Sequence, residues 1–265
     1  MINLNMKKKA FLRNIFLRIK KNKINKIRIL NTLPIKTHFN SIIPLQIFQT
    51  WHCKNVPLKM ANAINKIRKN NPRFKYFLFD DNDCREFIKN NFDSKVLNAY
   101  DRLIPGAYKA DLWRYCILYK NGGYYLDIKY EPFNNIKFIY FSEKEHLVYD
   151  INNYDIYNAF MVCLPGNELL MKAINKIVEN VENKFYGDHC LEPTGPKLLS
   201  KFITNNDKKS IDMKHELING NFNQRLIIYK GMIILKSYNG YLEEHNNYKK
   251  IDHYSKFWND RNIYN

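Results

Sequence analysis

The chain has 265 residues, 45% of them apolar and 15% aromatic, with nine glycines and nine prolines, which allows a sizeable core and excludes general disorder. Its formal charge of +18 points to polyanionic partners, but ten Lys or Arg and no acid fall within residues 1–30, leaving +8 for the rest. The five cysteines (Cys53, Cys84, Cys116, Cys163, Cys190) form no CxxC pair, which excludes a zinc ribbon and leaves reduced structural thiols of a cytosol-like compartment.

Residues 1–30 read as a basic extension. Arg13 and Arg18 interrupt its apolar run, which falls short of the ~20 residues of a bilayer span and does not make a signal peptide. On a helix, Phe11, Leu12, Ile15, Phe16 and Ile19 share one face opposite Arg13, Asn14, Arg18 and Lys20. Such a helix over residues 7–28 suits an anionic membrane surface; a helix packed on the body, or a solvated tail, is the plainer expectation.

From about residue 42, strand and helix patterns alternate. IIPLQIFQTW reads as a strand ending at Trp51, Pro57 opens the helical PLKMANAINKIRKN, RFKYFLF is strand-like, and DDNDCREFIKNNF begins with helix-capping residues. PGAYKADLWRYCILYKN is helical and closed by Gly122-Gly123, and YYLDIKY follows as a strand. Further strands are expected at 138–141, 146–149, 159–164, 226–229 and 232–235, with helices from Glu168 to about Glu182 and after EPTGP. The body, 31–265, is therefore read as one α/β domain with a mainly parallel central sheet flanked by helices. Ligands of such sheets sit beyond the carboxyl ends of the strands.

The glycine pair couples two charged stretches. Ten residues from Asp111 to the turn make about 15 Å of helix. Four from Gly123 to Asp127 make about 13 Å of strand. If the two pack side by side, Asp111 and Asp127 finish at the same end, with Arg114 on the helical face of Asp111. Asp127, Lys129 and Glu131 would alternate onto one strand face. Two carboxylates, an arginine and a lysine thus converge where an α/β protein binds its ligand.

The stretch GAYKADLWRYCILYKNGGYYLDIKYEP resembles the core of the DXD-type sugar-transferring enzymes of glycosyltransferase family 32. That family includes mannosyltransferases and is related to the glucosylating domains of clostridial toxins. IPLQIFQTW, FLFDDNDCREFI, NAFMVCLPGNELL and EPTGPKLL extend the likeness over most of residues 42–200. The resemblance implies a GT-A fold and retaining transfer from a UDP- or GDP-sugar to a glycan, protein or lipid acceptor. It implies that Asp111 and Arg114 bind the donor's hydroxyls, that Asp127 contacts ribose, sugar or metal, and that Trp51 stacks on the nucleobase, with Gln49 a further candidate for binding the donor. Carboxy-terminal His, Ser or Trp residues close over the diphosphate in related enzymes, which makes His253, Ser255 and Trp258 candidates. Asn158 and His189 lie in loops that would face sugar or acceptor.

Lys129 departs from the pattern, since a second aspartate normally coordinates Mn²⁺ or Mg²⁺ there. A charged lysine repels such an ion but can place its own charge on phosphate. Three outcomes stay open: Lys129 substitutes for the metal, Asp127 holds a metal with Glu131 or a distant ligand, or the site is degenerate. The competing function classes are an inactive sugar-nucleotide or glycan-binding module and a nucleic-acid-binding protein. The latter lacks any recognition motif. The expected setting is cytoplasmic, or peripheral on a membrane, as for a viral or effector protein. Asp127→Ala and Arg114→Ala are expected to abolish transfer at a nearly unchanged melting temperature.

Overall fold

The computed structural model describes residues 36–218, 224–249 and 251–265, so the extension and its expected helix over 7–28 lie outside the described residues. The first half alternates as the pattern requires: β1 (Gln46–Thr50), α1 (Leu58–Asn70), β2 (Lys75–Phe79), α2 (Asp81–Asn91), α3 (Ser94–Arg102), α4 (Gly106–Asn121) and β3 (Gly123–Leu126). In α1, Met60, Ala63, Ile64 and Ile67 are the buried stripe at helical spacing. Asp80 caps α2 through a capping box with Asp83. Helix α4 is buried over nearly its whole length, and Gly122 (φ 62°) ends it.

The second half continues with β4 (Tyr130–Pro132), β5 (Val148–Tyr149), β6 (Phe160–Cys163), α5 (Glu168–Glu182), α6 (Pro196–Ser200), α7 (Asn205–Ser210) and β7 (Met213–Ile218). The strands β8 (Gln224–Tyr229) and β9 (Met232–Ser237) and the helices α8 (Tyr241–Tyr248) and α9 (Tyr254–Asn259) complete it. Two sheets result. The first, ordered β2-β1-β3-β6, is parallel at β2-β1-β3 and antiparallel at β3-β6. The second, ordered β4-β9-β8-β7-β5, is antiparallel except at β5-β7. This is the mixed α/β architecture with a parallel sheet flanked by helices; the antiparallel second sheet was not legible in the alternation.

Two local expectations are corrected. The strand expected at 138–141 is a 3-10 turn, Phe138–Phe141, whose first N–H donates to the Asn71 side chain rather than to a ladder. A short apolar run does not by itself distinguish strand from buried turn. The strand YYLDIKY is broken: the chain leaves the first sheet after Leu126 and enters the second at Tyr130. Asp127, Ile128 and Lys129 form the turn between, closed by Tyr130 N–H donating to Asp127 C=O at 3.1 Å. Glu131 therefore does not share a strand face with Asp127; its carboxylate pairs with Lys236 at 2.8 Å and Lys66 at 3.4 Å. The turn lies beside the carboxyl end of β1, because Phe48 and Tyr125 are in register.

Candidate active site

Helix α4 and strand β3 bring Asp111, Arg114 and Asp127 together as the turn geometry requires. Arg114 lies 3.4 Å from Asp111 Oδ1 and 3.2 Å from Asp127 Oδ1, and its guanidinium stands 4.4 Å from the Tyr125 ring centroid. The arginine is 6% exposed and Asp111 8%. Their remaining valences are met from loops. Asp111 accepts from Asn158 Nδ2 at 2.9 Å and from Thr194 Oγ1 at 2.8 Å; Arg114 donates to Asn158 C=O at 2.9 Å and Ala110 C=O at 3.1 Å. Asn158 also donates to the Tyr115 hydroxyl at 2.8 Å, which fixes its amide orientation.

Asp127 accepts from the Tyr125 hydroxyl at 2.7 Å, and its other oxygen is in direct contact with the Lys129 ammonium. Burial pushes the Asp127 carboxyl up, but Lys129 and Arg114 outweigh it and hold it below the usual range. Asp111 goes the other way: burial outweighs Arg114 and its two hydrogen bonds, and its carboxyl is raised. Burial opposes the Lys129 charge, yet Asp127 holds that ammonium charged, its pKa raised. The Lys129 Nζ also lies 5.3 Å from the Tyr157 ring centroid and 5.4 Å from that of Tyr130.

The other expected residues separate. Gln49 is fully buried; its Nε2 donates to Asp127 C=O at 3.3 Å and its Oε1 accepts from Tyr76 at 2.7 Å. Both ends of its amide are engaged within the protein, where it supports the Asp127 turn. Trp51 is 9% exposed, against His52 at 4.6 Å and His245 at 6.0 Å between centroids, and its indole N–H is buried without a partner. His253 caps α9, with Nδ1 2.7 Å from Ser255 Oγ. Trp258 donates to Tyr186 C=O at 2.7 Å and packs under Arg261. His189 Nδ1 accepts from the nearby Leu191 N–H at 3.1 Å, as a loop histidine does.

The sequence reading missed Thr194, although EPTGP carries it, and also Tyr125, Tyr157, His215 and Arg225. His215 Nδ1 is 2.8 Å from Asp150 Oδ1, and its ring stacks on Tyr157 at 3.8 Å and 4°. No local spacing announces these partners, because they meet only when the second sheet folds against the first.

The resemblance implies a divalent metal, and the residues here do not fit one. Both Asp127 oxygens are engaged by Tyr125, Arg114 and Lys129, and Glu131 is turned to Lys66 and Lys236. Among the described residues, no group of three His, Cys, Asp or Glu side chains is placed to hold an ion. Also among the described residues, no helix is long and apolar enough to cross a membrane.

Comparisons with known proteins agree with this geometry. Over 94 residues the chain is 36% identical to inositol phosphoceramide mannosyltransferase 3 of Schizosaccharomyces pombe, covering 36% of this chain and 26% of that protein. It is 37% identical over 89 residues to an uncharacterized glycosyltransferase of Acanthamoeba polyphaga mimivirus, covering 33% of this chain and 36% of the relative. The chain thus spans about a quarter to a third of the length of these curated relatives. Among solved structures, PaToxG glycosyltransferase superposes with a TM-score of 0.47 at 15% identity, over 60% of this chain and 67% of that one. Residues 57–146, which contain Asp111, Arg114, Asp127 and Lys129, match the family described as "Glycosyltransferase sugar-binding region containing DXD motif".

Proposed function

We propose that the protein transfers a sugar from a UDP- or GDP-linked donor to a hydroxyl of a glycan, protein or lipid, with retention of anomeric configuration. The observation that carries this reading is the buried network Asp111–Arg114–Asp127–Lys129 at the end of β3, within the matched segment. Carboxylates and a guanidinium held in place by Asn158, Thr194 and Tyr125 offer a fixed set of acceptors and donors that suits the hydroxyls of a polyol. Asp111 and Arg114 bind sugar hydroxyls, Asp127 the sugar or ribose, and Trp51 offers its edge N–H and ring to the base. His253 and Ser255 bind the donor's diphosphate. The mannosyltransferase names of the relatives support a hexose donor.

In the transfer, the acceptor oxygen bonds to the anomeric carbon as the carbon–phosphate oxygen bond breaks, and the acceptor proton passes to the departing phosphate. Asp127 is kept ionised by Lys129 and Arg114, which suits it to accept from sugar or ribose hydroxyls. Lys129 meets the charge that develops on the leaving diphosphate.

One observation favours a second reading, a module that binds without turnover: Lys129 already sits on the carboxylate the family uses for its ion. Incubation with a panel of UDP- and GDP-sugars, following nucleoside diphosphate release, separates the two. Transfer predicts release that Asp127→Asn slows at least about 100-fold, a loss of about 2.7 kcal/mol of transition-state stabilisation. Donor binding without release at high protein concentration supports the module instead.

A further inference from the structure

Resting on the nucleotide-sugar reading, we propose that Arg225 is the second cation of an ion-free diphosphate site, acting with Lys129 where this chain does not fit a metal. The placement follows from the register of the second sheet. Tyr130 of β4 pairs with Ser237 of β9, and Leu226 of β8 pairs with Lys236, which sets Arg225 opposite Ser237. The Arg225 N–H donates to Ser237 Oγ at 3.1 Å, consistent with that row. Arg225, Ser237 and Tyr130 therefore lie in one row with side chains on one face. Lys129 immediately precedes Tyr130 and holds its ammonium over that ring. Two strand spacings, about 10 Å, separate the Arg225 and Tyr130 backbones, a distance that an arginine and a lysine can share across a diphosphate.

Charge is distributed to match. Arg114 and Lys129 are both bound to acidic partners within the site. Among the described residues, the half-buried Arg225 guanidinium has no carboxylate at ion-pair distance. Both cations act on the same surroundings: Tyr241 and His215 each feel Lys129 and Arg225, and His253 feels Arg225. A half-buried arginine without a carboxylate partner among the described residues suits a planar, multiply charged oxyanion, because its fork of N–H donors matches phosphate oxygens. Lys129 supplies the point charge. Together they supply positive charge where the relatives' pattern places an ion.

The test is calorimetric binding of UDP, GDP, CDP and ADP, and of the corresponding monophosphates, in excess EDTA. Wild type is expected to bind one diphosphate well in EDTA and to prefer it to its monophosphate. Arg225→Ala should reduce that preference at least about tenfold, with monophosphate affinity changed less than about threefold. Arg225→Lys should recover part of the loss. No buried acid is stranded by removing Arg225, so its melting temperature should stay near wild type. A diphosphate affinity that needs added Mn²⁺ overturns the ion-free site while leaving the transferase reading intact. Equal loss of both nucleotide classes in Arg225→Ala, or no loss, removes Arg225 from the site. Failure to bind any of these nucleotides, with or without Mn²⁺, overturns the transferase reading itself and this proposal with it.

Discussion

Arg114 neutralises the buried Asp111 and the partly buried Asp127 at once, so its removal strands charge rather than merely deleting a ligand contact. Breaking such a buried pair costs about 3–5 kcal/mol. The expectation that Arg114→Ala leaves the melting temperature unchanged is therefore corrected; a drop of roughly 6–20 °C is predicted, read by a thermal melt. Arg114→Lys keeps the charge but not the fork, and it should retain more stability than activity. Asp111, Arg114 and Asp127 were legible because one glycine turn links them and the two rises fix where they end. Asn158 was visible only as a loop residue; its central role needs a strand 44 positions from Arg114 to arrive beside it. The internal partners of Gln49 were not legible, because its place in a strand motif does not reveal which way a buried amide faces.

Elements position the site through two glycines. Gly123 has φ +100°, and a Cβ there would stand 2.8 Å from the Gln46 backbone oxygen. Gly122 has φ +62°, and a Cβ on it would meet Pro165 Cδ at 2.6 Å. Gly123→Ala is predicted to cost about 1–3 kcal/mol in a denaturant melt. It should also weaken donor binding, because the strand it displaces carries Tyr125 and leads directly into the turn at Asp127. Unchanged binding in a destabilised Gly123→Ala variant would separate the turn from the site. The helix and its glycine stop were readable from composition, whereas the break at Asp127 was not. Nothing in the alternation of YYLDIKY marks where its ladder changes from β6 on the first sheet to β9 on the second.

At the scale of the whole molecule, the two sheets bury titratable groups at their junction. His215 is lowered first by burial and then by Lys129 and Arg225, against the pull of Asp150; His245 is lowered by burial, Lys249, His253 and Lys129. The folded protein thus binds fewer protons at these imidazoles than the unfolded chain, whose histidines titrate near about 6.5. Their contribution is complete above that pH and is lost as pH falls through the lowered folded values. Asp127, Asp150 and Asp212 are also lowered in the fold, Asp212 to about 2, so their stabilisation fades only in stronger acid. The denaturant midpoint is predicted to be flat from about pH 8 to 7 and to fall between about 6.5 and 5, a decline that His215→Gln should reduce. A midpoint that rises on acidification over that range would contradict the buried neutral imidazoles. Strands at 226–229 and 232–235 were legible one by one, but not the sheet that sets Arg225 beside Tyr130, because ladder order is a long-range property. That the Asp111 network reads a donor sugar is tested most directly by measuring, for wild type and Asp111→Asn, the affinity of a sugar nucleotide relative to its bare nucleoside diphosphate. The substitution is predicted to weaken the sugar nucleotide at least about tenfold, as loss of a buried polar contact does, and to leave the diphosphate within about threefold. An equal effect on both ligands, or none on either, would contradict it.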